Sequence, residues 1–419
     1  MDVSQDKTTT MESVDVLVIG AGPAGSLASA LLNKAGIGVL VLEKQKFPRF
    51  SIGESLLPQI MVFLEKAGML DAVEAGNFQF KNGAAFRRGS SYTAFNFEQK
   101  FSKGPGTTYQ VKRADFDKRL ADEAERQGVP IRYEQEVLSF EPGDDHVVVS
   151  VRDKEGNRYQ VKTGFVLDAS GFGRVLPRLL DLEMPSEFPP RKSIFCHFKD
   201  NITDPTHDRT KILVSVNPVD TSVWYWLIPF ADGTSSFGVV GEPKFFDTIA
   251  GDLKAKLLAC RNMEPTLAVL LAKAEFITEV RDLAGYAAKV KSLYGERFAL
   301  LGNAGEFLDP VFSSGVTIAF KSADLATTLL IRMRNGEQVD WQSEYAEPLM
   351  KGVDTFRAFV GTWYDGTLQD IIFHLDPNDD IRKKLCSILA GYAWDETNPY
   401  TEKTERRLRV LAEICKTAA

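Results

Sequence analysis

The sequence predicts an α/β protein: a Rossmann-like dinucleotide-binding domain, an inserted antiparallel β-sheet and a helical C-terminal region. Three observations carry this. A β-branched run at residues 14–19 leads through Gly20-x-Gly22-x-x-Gly25 into a small-residue helix, then a second apolar strand at 36–42 that closes on Glu43. That is a βαβ unit of about 30 residues. Between 193 and 240 the pattern changes to long, aromatic-rich strands. From 336 onward the periodicity is helical.

The remaining elements follow in order. Residues 1–12 read as a polar, disordered tail. The segment Phe47-Pro-Arg-Phe-Ser-Ile-Gly-Glu-Ser-Leu-Leu-Pro runs into a helix at 59–67, followed by strands near 79–87 and 92–97 and an amphipathic helix at 114–127. Strands at 131–137, 147–151 and 159–163 form a meander, with Pro142-Gly143-Asp144-Asp145 and Glu155-Gly156-Asn157 as its turns. A buried strand at 165–168 ends in Ala169-Ser170-Gly171. The later sheet has strands at 193–198, 211–216, 222–229 and 235–240, with Ala231-Asp232-Gly233 turning between the last two. Helices at 247–259 and 264–274, a strand at 298–301 and a helix at 315–334 complete the reading. The expected dinucleotide-binding domain is discontinuous (13–80, 105–190 and 281–335), with a substrate-side sheet domain from 81–104 and 191–280 and a helical region at 336–419.

Composition narrows the function. A net charge of −7 opposes non-specific nucleic-acid binding, and the basic run at 404–409 reads as a solvated helix face. Cys196, Cys260, Cys386 and Cys415 are scattered without a CxxC, which predicts reduced thiols and neither disulfides nor a metal site. His146, His197, His207 and His374 show no ligand spacing. The apolar stretch at 16–32 lacks a positive flank and is broken by Gly20, Gly22 and Pro23, so a signal peptide or membrane span is not expected there. A soluble, cytoplasmic protein is expected.

Gly20 permits a tight turn, Gly22 lets a pyrophosphate approach the backbone, Gly25 lets helix and strand pack closely, and Glu43 offers an acceptor to ribose hydroxyls. The helix start offers unpaired N–H groups to phosphates. Two further segments, Asp168-Ala-Ser-Gly171 and Gly302-Asn-Ala-Gly-Glu-Phe-Leu-Asp309-Pro310, resemble the second and third flavin segments of the p-hydroxybenzoate-hydroxylase-like FAD superfamily. Arg113 resembles that superfamily's arginine over the FAD. Asn303 stands where the family usually has Asp, and can still hydrogen-bond the ribityl chain. The resemblance implies an FAD-binding domain with Gly302, Asn303, Asp309 and Pro310 among its cofactor contacts.

Trp224-Tyr-Trp226-Leu-Ile228-Pro229 matches the WxWxIP motif of flavin-dependent halogenases. The bland reading is a strand with both indoles packed on one face. The resemblance implies FADH2, oxygen and chloride or bromide as reactants, with Trp224, Trp226, Ile228, Pro229 and Phe312 separating flavin from substrate along an oxidant tunnel. Lys81 aligns with the family's essential lysine, implied to hold hypohalous acid or form a haloamine; taken alone it would read as a solvated strand lysine. Ser314 and Gly315 fall where the family binds halide through backbone N–H groups. Phe312 stands where tryptophan halogenases carry a glutamate. That departure resembles the branch acting on phenols or pyrroles, free or carrier-bound.

Phe356, Phe359, Trp363, Tyr364 and Phe373 recur at helical spacing and read first as core, second as a substrate cavity lining. No second nucleotide fingerprint is visible, so FADH2 is expected from a separate flavin reductase. Competing readings are an FAD-dependent aromatic monooxygenase, a reductase of isoprenoid double bonds and a non-catalytic flavoprotein partner in a biosynthetic complex.

Overall fold

The computed structural model describes residues 11–285, 288–374 and 380–417. Two large sheets organise them. The first has its strands in the order Tyr294–Gly295, Phe298–Leu300, Arg158–Asp168, Met11–Ile19, Val39–Leu42, Ile131–Arg132, with Val147–Arg152 and Glu136–Pro142 added beside Arg158–Asp168. Its central pairs are parallel: Ile19 aligns with Asp168 and with Leu42, and Asp168 aligns with Leu300. Buried parallel strands read as continuous apolar runs, and Val16 to Ile19 and Val39 to Leu42 are all buried.

Several boundaries differ from expectation. Met11 to Ser13 belong to the first strand, because the 11-residue strand Arg158–Asp168 offers them partners from Gln160 onward; residues 1–10 lie outside the described part. The two strands expected at 159–163 and 165–168 are this one continuous strand. It pairs antiparallel with Val147–Arg152 on one side and parallel with Met11–Ile19 on the other. The strand expected at 131–137 is two, Ile131–Arg132 and Glu136–Pro142, interrupted at Glu134, whose φ is +60°. Expected helices at 247–259 and 264–274 are observed as Pro243–Asp247, Leu253–Met263 and Pro265–Leu270. Asp252 and Glu264 accept from Ala255 N and Leu267 N and cap the latter two.

The second sheet runs Glu275–Phe276, Lys192–Lys199, Thr234–Gly241, Trp224–Pro229, Lys211–Val216, Gly83–Arg88, Ser91–Asn96. It is mixed rather than purely antiparallel. Lys211–Val216 pairs parallel with Gly83–Arg88, because the chain leaves one and reaches the other by a long crossover through the first domain. The strand period of two sorts its faces. Trp224, Trp226, Ile228 and Phe195 face the main core, whereas Tyr225, Leu227, Ile194 and Cys196 face a smaller core with Leu257, Cys260 and Leu267.

The C-terminal helices cover the junction of the two sheets. Glu347–Tyr364 buries Phe356, Phe359 and Trp363, so these aromatics are core. Trp363 meets Phe312 and Phe86 with ring centroids 5.8 Å apart in each case. The four cysteines are all buried. Among the described residues no helix is long and apolar enough to cross a membrane, and no cluster of His, Cys, Asp and Glu could hold a metal ion.

Trp363 therefore joins the C-terminal helix, the second sheet and the Pro310–Phe312 turn. Trp363→Ala is expected to lower unfolding free energy by about 3–5 kcal/mol, checked by chemical denaturation.

Candidate active site

The register of the first sheet brings the expected cofactor segments to one edge. Gly20, Glu43, Ala169 and Leu301 each follow the last residue of a neighbouring strand, the crevice where α/β sheets bind nucleotides. Gly20 has φ +97°, and a Cβ there would sit 2.7 Å from Ala169 O; a Cβ on Gly25 would sit 1.9 Å from Gly20 O. Both close approaches demand glycine. A Cβ on Gly22 would meet only Arg49 Nη2, at 3.3 Å, so the space above this turn is open. The helix Pro23–Lys34 starts with no side-chain cap and no acidic residue in its first turn, leaving its amides for an anion. Glu43 accepts Ala21 N and Gln45 N, one on each oxygen, both at 2.8 Å, and so ties the second strand to the glycine turn.

Arg113 forks onto Asp117, Nε at 2.7 Å and Nη2 at 3.0 Å, and its Nη1 donates to Ile52 O at 2.7 Å. Asp117 also accepts Arg49 Nη1 at 3.0 Å. One buried carboxylate thus holds two guanidiniums, one of them beside Gly22. Arg49 was not identified from the sequence, because it lies 27 positions beyond that turn and only the fold brings it back. Asp168 accepts Ser170 N at 2.9 Å and Leu176 N at 2.7 Å, so it shapes the turn after its strand; burial pushes its carboxyl above the usual range.

Gly302 has φ +53° and packs so closely on the long helix Gly315–Arg334 that a Cβ would lie 2.9 Å from Ala319 Cβ. Asp309 accepts Val311 N at 3.2 Å and closes the turn at Pro310–Phe312. Ser313 is left-handed, and Ser314 then opens the 20-residue helix without a side-chain cap or an acidic first turn. A Cβ on Gly315 would meet nothing nearer than Asn303 Oδ1, at 3.8 Å. The space beside Gly315 is thus open next to Asn303 at the start of this helix, the end whose polarity suits an anion. The glycine turn, the open helix starts and the ring of donors and acceptors fit a dinucleotide flavin.

Lys81 lies on neither large sheet. It ends the short strand Gln79–Lys81, which pairs with Thr108–Gln110. Its side chain is fully buried. Nζ donates to Ser55 Oγ at 2.7 Å and Leu56 O at 2.6 Å, and the Phe97 ring centroid is 5.4 Å away. Burial pushes the amine down from 10.5 to about 7. The solvated-lysine reading is excluded. A group titrating near neutrality can act as ammonium donor or as free amine.

The tryptophan strand Trp224–Pro229 is buried throughout. Trp224 Nε1 donates to Tyr364 OH at 3.0 Å, and Tyr364 in turn lies against Asp309 of the third flavin segment. Trp226 Nε1 donates to Ser236 Oγ at 3.0 Å, and its ring occupies the space a Cβ on Gly238 would take. The two indoles are 6.0 Å apart, and Phe195 is 5.9 Å from Trp226. Phe312 is wedged between Phe359 and Trp363. The motif is thus both packed core and the neighbour of the flavin segments. Ile228 is part of the same core face and Pro229 ends the strand.

These features define an FAD-binding oxidoreductase. Residues 13–242 match the FAD binding domain family. The chain is 28% identical over 410 residues to a 1H-pyrrole-2-carbonyl-[peptidyl-carrier protein] chlorinase from Pseudomonas fluorescens, covering 90% of this chain and 89% of that one. It is 30% identical over 341 residues to the corresponding brominase from Pseudoalteromonas luteoviolacea, covering 80% of each. The crystal structure of a flavoprotein/dehydrogenase from Cytophaga hutchinsonii superposes with a TM-score of 0.93 at 45% identity, covering 97% of this chain and 100% of that one. The chain belongs to the flavin-dependent halogenase family, with FAD as its cofactor.

The displaced lysine predicts a stability effect. Folding lowers the amine's pKa, so between about 7 and 10.5 the unfolded chain binds the extra proton and stability rises with pH; below about 7 the whole cost of the buried ammonium is present. That cost is roughly 4–5 kcal/mol. Removing the donor leaves Ser55 and Leu56 unpaired at roughly 1–3 kcal/mol. Lys81→Met should therefore be more stable than the native chain at pH 6, with the advantage lost at pH 10, as measured by denaturant unfolding at the two pH values.

Proposed function

We propose that this protein uses FADH2, oxygen and chloride or bromide to make hypohalous acid, which Lys81 relays to a phenol- or pyrrole-type ring. The carrier-protein substrates of the pyrrole chlorinase and brominase support a carrier-bound substrate here as well. A separate flavin reductase supplies the reduced cofactor. The single observation that carries the reading is a buried lysine that, among the described residues, has no carboxylate partner and is held by two neutral oxygens. A lone buried amine is costly to keep, and functional sites are where such cost is found.

Bound reduced FAD supplies, with oxygen, the two-electron oxidation of halide. Gly20, Gly22, Gly25, Glu43, Arg113, Asp168, Gly302, Asn303, Asp309 and Pro310 hold the cofactor or shape the turns around it. The N–H groups at Ser314 and Gly315 attract the halide. Trp224, Trp226, Ile228, Pro229 and Phe312 keep the organic ring from the flavin, so that only a small oxidant passes. The Lys81 ammonium hydrogen-bonds the oxygen of hypohalous acid and polarises its bond to halogen. The ring attacks halogen, a carbon–halogen bond forms, and the oxygen–halogen bond breaks. Oxygen leaves as water with the lysine proton, and the ring proton then leaves to solvent. Phe312 can take no proton, which suits a ring activated by its own oxygen or nitrogen.

Lys81→Ala should lower halogenated product by at least ~100-fold while FAD binding and oxygen consumption persist. Mass spectrometry of products from a panel of phenols and pyrroles, free and carrier-linked, checks this. Oxygen insertion by the native protein would instead indicate a monooxygenase, and loss of two hydrogens a dehydrogenase.

A further inference from the structure

The segment Ser51 to Leu57 touches three parts of the molecule. Ile52 O and Gly53 O accept Arg113 Nη1, and Ser55 Oγ and Leu56 O accept Lys81 Nζ. Between these two groups stands Glu54, 1% exposed, whose side chain crosses to the second sheet. Its Oε1 accepts His197 Nε2 at 2.6 Å, while Oε2 is buried and, among the described residues, has no hydrogen-bond partner. A carboxylate so enclosed needs a reason.

The surroundings of His197 connect it to the tryptophan motif. His197 and Phe195 are two apart on the strand Lys192–Lys199 and so share a face. The imidazole meets the edge of Phe230 at 5.3 Å and Phe50 at 6.5 Å; Phe50 stacks on Phe195 at 6.0 Å, and Phe195 meets Trp226 at 5.9 Å. An unbroken set of contacts thus runs from Trp226 through Phe195, Phe50 and His197 to Glu54, one residue before the first acceptor of Lys81. The backbone of the same segment is also held by Val111 N to Glu54 O at 2.8 Å and Leu56 N to Tyr109 O at 3.1 Å, on the side away from His197.

We propose that Glu54 and His197 are positioning residues: their hydrogen bond clamps the Ser51 to Leu57 segment to the substrate-side sheet and keeps Ser55 Oγ and Leu56 O on the amine of Lys81. Both acceptors lie within two residues of Glu54, so a shift of that segment moves both together. A buried amine that loses two acceptors changes its proton affinity and its aim. This inference rests on the reading that Lys81 delivers the oxidant.

The test compares His197→Phe, which fills the aromatic slot but donates nothing, with His197→Gln, which keeps a donor. In the full-length, FAD-loaded protein, NMR of ε-15N-lysine follows the titration of Lys81, assigned with Lys81→Ala. Separately, halogenated product per oxygen consumed is measured. His197→Phe should move the Lys81 midpoint by about one pH unit and lower the product ratio ~10-fold with FAD affinity unchanged, and His197→Gln should restore both. If His197→Phe does not fold, Glu54→Ala against Glu54→Gln provides the same contrast. The proposal is overturned if the donor-free variant leaves titration and product ratio unchanged, or if the donor-keeping variant falls as far. Undiminished halogenation by Lys81→Ala would overturn the oxidant-relay reading instead, and the NMR comparison would still decide the clamp.

Discussion

An ammonium buried in an apolar interior is held by whatever oxygens the fold brings to it, and at Lys81 these are Ser55 Oγ and Leu56 O. Neither is charged, so they offset only part of the desolvation, and the amine drops to about 7 as a result. The architecture around it follows from meeting that demand. The two-stranded ladder fixes Lys81 opposite Thr108, and the Ser51 to Leu57 segment is anchored to Arg113 on one flank and to His197 on the other. The C-terminal helices enclose the region from outside: Cys386 Sγ bonds Asn96 O, next to Phe97, and Gln59 N donates to Ala390 O.

The same logic separates the cofactor edge from the lysine. The glycine turn, the Asp168 turn and the Gly302 turn are brought together by the register of the parallel strands at the centre of one sheet. The indoles belong to the other sheet, and Trp224 reaches the flavin segments through Tyr364 on a C-terminal helix. Deep burial of these aromatics holds them rigidly, because packed side chains do not give way continuously.

Much of this was legible in the residues. The glycine spacing, the strand that precedes it and Glu43 are local signals, and the two turns at Ala169-Ser-Gly171 and Gly302-Asn-Ala carry their own small-residue signature. The helix expected at 315–334 is observed with those bounds, Gly315–Arg334. What escaped depended on distant partners. Nothing local distinguishes Met11 to Ser13 from a tail; only the extra length of Arg158–Asp168 makes them strand. Arg49 reads as one more charge until Asp117 draws it to the glycine turn. Glu54 and His197 are 143 positions apart, and each alone has an ordinary surface reading. Lys81 was recognised by family resemblance, since a lone strand lysine announces nothing; its burial is a property of the packed loop around it.

The central claim is spatial: the organic ring reacts beside Lys81 and is kept off the flavin by the indoles. A crystal structure of the protein with oxidised FAD and a bound phenol or pyrrole tests it most directly. The account predicts the ring within reach of Lys81 Nζ, with Trp224 and Trp226 lying between it and the isoalloxazine. A ring stacked against the isoalloxazine, with Lys81 still sealed away from it, would contradict the account.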